Sequence, residues 1–454
     1  MKSISLTIFL TFIGSLCFGQ WGLTQEQRDS IYQLTKADHE NMKAQIGITV
    51  PNRPGPSGNS SDPNAANSDE SKVVDYTLPK TLVFENGKQV KSPEDWKERR
   101  KELVKLFNEE MYGIVPENVP SVDWKVVSEQ DTVTGKYGIK VTRLVGVVDN
   151  SAYPDISVEI DVELVIPANA TEPVPVVIHY GFIGNFSFGP QTPEPTSFLF
   201  SRNEPDWKSQ LISNGWGYAT IVPSSIQADN GSGLKTGIIG LTNKGEYRKP
   251  NHWGSLRAWT WGVSRLVDYL ETDDSVDQTR LAIEGLSRYG KAAIVTVVYE
   301  PRISLGFIGS SGAGGAKILR RNFGEQVENL AGTGEYHWFC GNFLKYASSK
   351  TVDDLPVDAH QLVALCAPRP VFISAGSPFE EGSWVDAKGM FLAGAHAGSV
   401  YELLGKRSLE TMEFPPLGMP LVMGEVAWRQ HAGGHSTGPN WSTWIGWAHK
   451  YWDE

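Results

Sequence analysis

The feature that most constrains the fold lies between residues 173 and 309. There, continuously apolar runs alternate with helix-length segments, and one run ends in Gly285-Leu286-Ser287. Residues 173–180 read Pro-Val-Pro-Val-Val-Ile-His-Tyr, with Gly181 and Gly184 opening the loop beyond, and residues 216–222 and 280–284 form two more short runs. Runs this short and this apolar are the pattern of strands buried on both faces. Helices are expected at 253–272 and 291–299, strands again at 303–309 and 370–376, and helices at 390–404 and 441–452. Strand–helix alternation of this kind predicts a mostly parallel sheet with helices on both faces. Residues 74–167 differ, with short strand-like runs such as 137–147 and 156–166 that alternate with period two. No repeat of fixed period runs through the chain.

Within this frame Ser287 stands between a strand and a helix. A nucleophilic serine needs such a junction, because a sharp turn lifts the hydroxyl out of the sheet and aims backbone N–H groups at the developing oxyanion. Gly285 supplies the small residue two positions earlier. Tyr289 occupies the place where a second small residue is usual, and the glycine follows one later at Gly290. A serine in this position also reads as a helix N-cap, so the motif alone leaves both roles open. Hydrolases built on such an elbow place the acid and then the histidine downstream. Residues 429–441 read Arg-Gln-His-Ala-Gly-Gly-His-Ser-Thr-Gly-Pro-Asn-Trp, a glycine-rich loop ahead of the last helix that offers His431 and His435. Their spacing would suit zinc on a helix, but Gly433 and Gly434 oppose a helix there and no His-Glu-x-x-His occurs. No metal or organic cofactor is expected.

The ends and the bulk composition set the compartment and exclude some partners. Lys2 precedes an apolar run over residues 4–12, and Gly14, Ser15 and Gly19 follow, which predicts a secretory signal peptide over residues 1–19. The run is too short to span a membrane, and the bulky Leu16 before Cys17 argues against lipidation. A secreted or periplasmic protein is expected, without a membrane partner and as a monomer. The formal net charge of −11 argues against a nucleic-acid partner, since phosphate binding needs a basic surface. Beyond the leader, Cys340 and Cys366 remain, as one disulfide or two buried thiols. Residues 20–72 read as an N-terminal arm: a polar helix over 23–46 starting near Thr24 or Gln25, then a linker at 51–71 rich in Pro, Gly, Ser, Asn and Asp. The catalytic domain is expected over 73–454.

Gly285-Leu286-Ser287-Arg288-Tyr289-Gly290-Lys291 resembles the Gly-Cys-Ser-Arg-x-Gly-Lys nucleophile motif of the glucuronoyl esterases, carbohydrate esterase family 15. The bacterial branch of that family is also resembled at Ser311-Gly312-Ala313-Gly314-Gly315, at Arg320-Arg321-Asn322-Phe323-Gly324-Glu325, and at His337-Trp338-Phe339-Cys340. Further agreement comes at Leu355-Pro356-Val357-Asp358, Ala367-Pro368-Arg369-Pro370 and Trp384-Val385-Asp386, so that residues 75–454 are covered. The resemblance implies an α/β-hydrolase fold with Ser287 as nucleophile, His435 as general base and acid, and Arg288 as an oxyanion donor. It further implies Lys291, Glu325, Trp384 and Trp338 as contacts to a glucuronoyl group. The substrate so implied is an ester of 4-O-methyl-glucuronic acid, in glucuronoxylan or a lignin–carbohydrate linkage. His431 is the alternative histidine.

Three departures accompany the resemblance. Leu286 replaces the motif cysteine that pairs in fungal members with a cysteine near the histidine, and no cysteine lies near His435 here. Ser310 stands where many members carry the catalytic glutamate. Other bacterial members carry an acid after the next strand, shortly before a tryptophan, so the resemblance implies an acid from the loop 377–386, with Glu381 preferred over Glu380 and Asp386. The N-terminal arm is the third departure and is given no catalytic role. Two other readings remain beside the uronate esterase: an acetylxylan or other carbohydrate esterase, and a weakly active carbohydrate-binding relative prompted by Ser310.

Overall fold

A computed structural model describes residues 24–117, 119–183 and 206–453; the expected leader at residues 1–19 lies outside them. Its centre is a nine-stranded sheet: β1 (Val122–Thr134), β2 (Tyr137–Val148), β3 (Glu159–Pro167), β4 (Val174–Tyr180), β5 (Gly217–Ile221), β6 (Val276–Leu286), β7 (Leu305–Gly309), β8 (Val371–Ala375) and β9 (Val426–Gln430). They lie side by side in the order β1-β2-β3-β5-β4-β6-β7-β8-β9. Pairings from β1 to β5 are antiparallel. All pairings from β5 through β4, β6, β7 and β8 to β9 are parallel. The change of hand follows the connections, because hairpins link the early strands while helical crossovers link the later ones.

Side chains along the parallel strands alternate between two apolar layers, as the two-residue pleat requires. Val176, Ile178, Ile283, Ile308, Ile373 and Trp428 point into the larger core, which also contains Trp259, Leu266, Ile294, Leu362 and Met390. Val177, Ala282, Phe307, Phe372 and Ala427 point to the opposite face, beneath Trp441, Trp444 and Trp447. The helices Ser255–Leu270, Arg288–Tyr299, Ala359–Cys366 and Ala387–Leu403 thus lie on one side of the sheet, and Trp207–Ser213 and Trp441–Trp452 on the other. This is the mostly parallel, doubly covered sheet of an α/β-hydrolase.

One stretch departs from expectation. Residues 93–107, placed among strand-like runs, form a helix, Pro93–Phe107, whose N-cap Ser92 accepts from Asp95 N–H at 3.1 Å. Pro93 at its first turn, with Glu94 and Asp95 behind it, is the usual start signal. A sparse stripe of Trp96, Leu103 and Phe107, diluted by charge, carries its buried face.

The arm begins with helix Gln25–Gln45, closed by a reciprocal Thr24–Gln27 capping box. Its buried face is Thr35, Asp38, His39 and Met42. The composition expected as a free linker instead lies against the body. Arg53 pairs with Glu328 at 2.9 Å, Asn67 Nδ2 donates to the Asn322 carbonyl at 2.8 Å, and Glu70 pairs with Arg321 and with Lys388. Segments without large apolar side chains can be held by hydrogen bonds and ion pairs, which composition does not display. Cys340 and Cys366 are buried, unbonded thiols, and burial pushes them up to about 11 and about 12 respectively.

Candidate active site

Strand β6 ends at Leu286 and helix Arg288–Tyr299 begins two residues later, so Ser287 alone makes the turn, at φ 61° and ψ −126°. A left-handed φ is costly for a residue with a Cβ and marks an over-determined position. Ser287 N–H donates to the Gly309 carbonyl at 2.8 Å, tying the turn to β7. Although Ser287 precedes the helix, its side chain makes no capping bond. Its backbone is also not in the extended conformation a capping serine adopts. Gly285 and Gly290 explain the shifted motif: a Cβ on the first would strike the Tyr289 carbonyl, and one on the second the Gly309 carbonyl. Small residues are needed at those two positions, while Tyr289 turns its ring towards Trp259, 5.5 Å between centroids, and Tyr180.

The histidine loop follows β9, at the same end of the sheet. His435 Nδ1 lies 2.5 Å from Glu381 Oε1, and Glu381 Oε2 accepts from Gly376 N–H at 2.5 Å. Glu381 is 2% exposed and His435 29%, so the carboxylate is sheltered and the ring opens to solvent on its other side. The other candidates are engaged elsewhere. His431 is buried, its Nε2 2.8 Å from the Ser436 carbonyl, while Gly433 N–H donates to its Nδ1 at 3.0 Å. Asp386 caps helix Ala387–Leu403 through Gly389 N–H at 2.9 Å and pairs with Arg321 at 2.9 Å. Burial raises the Asp386 carboxyl, against the pull of Lys317 and Arg321. Glu380 is exposed. Ser310 is buried with φ 42°, and its hydroxyl has no partner among the described residues.

Arg288 heads the helix after the nucleophile. Its Nη1 donates to Asp229 Oδ2 at 2.6 Å, and Asp229 Oδ1 also accepts from His337 Nε2 at 2.9 Å and Trp338 Nε1 at 2.6 Å. Burial alone would raise the Asp229 carboxyl, but Arg288, His337 and Trp338 together hold it far below the usual carboxylate range. Burial lowers His337, so its neutral ring donates through Nε2. The Trp338 ring lies 5.4 Å from both the Arg288 guanidinium and the Lys291 ammonium. Lys291 Nζ donates to the Ser311 carbonyl at 2.8 Å and to Glu325 Oε2 at 3.1 Å, both side chains being 5% exposed. Trp384, half-buried, accepts on its carbonyl from Glu325 N–H at 2.9 Å. Arg288, Lys291, Trp338 and Glu325 are therefore linked through one hydrogen-bonded and ring-packed cluster at the start of the helix that Ser287 precedes, with Trp384 attached through its backbone.

Asp229 was not among the sequence candidates. The available signal was its place in Asp229-Asn230-Gly231-Ser232-Gly233, a turn-rich loop beyond the C-terminal end of a strand, where open α/β sheets carry their ligand groups.

Comparison with known proteins shows the family. A family model described as "Glucuronyl esterase, fungi" matches residues 244–405. A carbohydrate esterase from an unknown prokaryotic organism is 31% identical, over 85% of this chain and 92% of that protein. A 4-O-methyl-glucuronoyl methylesterase of Wolfiporia cocos is 27% identical over 76% of each chain. Among solved structures, a family 15 glucuronoyl esterase from Teredinibacter turnerae superposes with a TM-score of 0.85 at 41% identity, covering 92% of this chain and 100% of that one. A glucuronoyl esterase from Solibacter usitatus gives 0.73 at 33% identity, over 85% and 100% of the two chains. The chain belongs to the bacterial branch of the glucuronoyl esterases, carbohydrate esterase family 15, and is a serine-type carboxylic ester hydrolase.

Proposed function

We propose that the protein hydrolyses esters of 4-O-methyl-glucuronic acid carried on xylan, with a lignin alcohol as leaving group, through Ser287, His435 and Glu381. The observation that carries this reading is the His435–Glu381 contact at the sheet end that also presents Ser287 on a strained turn. With Nδ1 facing Glu381, Nε2 is the nitrogen that exchanges protons. His435 takes the Ser287 proton as the oxygen attacks the ester carbonyl, and the carbonyl π electrons move onto its oxygen. Arg288 supplies a guanidinium to that oxyanion, and the backbone N–H after the nucleophile is the second donor that such an elbow aims at it. Collapse expels the alcohol, which takes its proton from His435. Water, deprotonated by the same ring, then attacks the acyl-enzyme; the bond to Ser287 Oγ breaks, Ser287 takes the proton back from His435, and the free uronate leaves.

Lys291, Glu325, Trp338 and Trp384 are assigned to the sugar. A buried ammonium–carboxylate pair beside an indole offers donors, acceptors and an apolar plane, which suits pyranose hydroxyls and a ring face. Ser310 by itself would favour a weakly active binding relative, and Glu381 removes the motive for that reading. Export with cleavage near Gly19, and a catalytic unit spanning 73–454, complete the proposal. Purified protein should hydrolyse benzyl glucuronate, and Ser287→Ala should abolish the turnover. Activity confined to acetylated xylan would overturn the substrate assignment in favour of an acetyl esterase.

A further inference from the structure

A second carboxylate–imidazole pair lies directly behind the nucleophile. Glu284, on β6 three residues before Ser287, is fully buried. Its Oε1 accepts the Thr437 hydroxyl at 2.8 Å, and its Oε2 meets His179 Nδ1. Thr437 is two residues past His435, and its methyl occupies the space that a Cβ on Gly309 would take. Gly309 is the residue whose carbonyl holds Ser287 N–H. His179 belongs to the end of β4; its ring packs on Trp207, 4.8 Å between centroids, and Trp207 stacks on Trp441 at 5.0 Å. The His179 ring also fills the space beside Gly181, where the chain leaves β4. One carboxylate therefore ties together the nucleophile strand, the histidine loop and the start of the loop after β4.

A buried carboxylate is costly unless each oxygen is satisfied, and an apolar residue would pack the same space without that cost. Its neighbours on the strand, Ala282 and Ile283, are apolar and buried. We infer that Glu284 is a positioning residue: through Thr437 it fixes the height of the His435 loop over Ser287, with His179 as the polar partner of its second oxygen. This rests on the assignment of Ser287 and His435 given above. Its leverage comes from catalytic geometry, where a displacement of about 1 Å can cost about a hundredfold in rate.

The test uses the full chain with Thr437→Val, which removes the hydroxyl at nearly constant shape, and Thr437→Ser, which keeps it. On benzyl glucuronate, Thr437→Val should lower kcat by about tenfold or more with KM changed less than about twofold, and Thr437→Ser should recover to within about threefold of wild type. A merely structural threonine would lower Tm without that split. Thr437→Ala is read in the same way should the valine variant not fold. Wild-type kcat in Thr437→Val, or a loss in Thr437→Ser as large as in Thr437→Val, overturns the positioning role. Full turnover in Ser287→Ala overturns the triad assignment itself, so the two failures are distinguishable.

Discussion

Glu381→Gln is the most informative single change, because the surroundings dictate which way the new amide must face. In the wild type, Gly376 N–H donates to Oε2 at 2.5 Å and His435 Nδ1 lies 2.5 Å from Oε1. A glutamine must keep its oxygen towards Gly376, since two N–H groups facing each other would leave both unpaired. Its NH2 then points at Nδ1, which must become the acceptor, and the ring proton is driven to Nε2. An imidazole with its proton on Nε2 cannot take the Ser287 proton, and the imidazolium also loses its counter-charge. The equivalent acid-to-amide change in the chymotrypsin-type triad lowers kcat about 10⁴-fold. At about 1.4 kcal/mol per decade, the same loss here is about 5.5 kcal/mol of transition-state stabilisation. The Glu381 carboxylate is engaged by Gly376 and His435, and KM should stay within about threefold. Steady-state kinetics on benzyl glucuronate decide the matter, with Glu380→Gln, an exposed neighbour, expected to behave as wild type. A Glu381→Gln enzyme retaining more than about a tenth of wild-type kcat would show that this carboxylate does not govern the histidine.

Asp229→Asn tests the cluster behind Arg288 through pH. The Asp229 carboxyl lies below its unfolded value of about 3.9, so its stabilisation is complete above about pH 5 and is lost as pH falls towards the native value. The stability gap between wild type and Asp229→Asn, from urea unfolding, should therefore narrow on acidification; a gap that widens refutes the assignment. Tyr336→Phe removes the hydroxyl that donates to Asp38 at 2.7 Å and lies 3.1 Å from the Thr35 carbonyl, both buried. It should cost about 1–3 kcal/mol in chemical denaturation, and no loss would mean that the arm is not held at this point. Cys340 and Cys366 should resist a thiol-specific chromogenic reagent in the native protein and react on unfolding; rapid native reaction would contradict their burial.

What was legible in the sequence depended on how local the physics is. Helix Trp441–Trp452 could be read because Trp441, Trp444, Ile445, Ala448 and Trp452 repeat with the helical period and face one layer. The parallel strands could be read because burial on both faces leaves runs dominated by apolar residues, with polar exceptions such as His179 and Glu284 near the strand ends. Helix Pro93–Phe107 was missed where charge diluted its stripe, although Ser92 and Pro93 announced it. The packed course of residues 51–71 was also missed, because its contacts to Glu328, Asn322, Arg321 and Lys388 lie some 250 or more positions away.

The site divides along the same line. Ser287, Arg288 and Lys291 share one turn, so their register is a local property and survives as a motif. The acid does not, because Glu380, Glu381 and Asp386 lie within a few residues and only remote groups tell them apart. Arg321 and the helix cap take Asp386, solvent takes Glu380, and the 377–382 turn brings Glu381 back over Gly376 to His435. The same geometry accounts for the serine at 310. Strands β7 and β8 are parallel neighbours, and Ser310 N–H donates to the Ser374 carbonyl at 2.8 Å, so the loops leaving both strands start side by side. With the β8 loop delivering a carboxylate to His435, a second glutamate at position 310 would have to bury its charge in a space where the serine hydroxyl already lacks a partner. The buried Ser310 is thus the counterpart of Glu381: the carboxylate that meets His435 comes from the loop after β8 and not from the loop after β7.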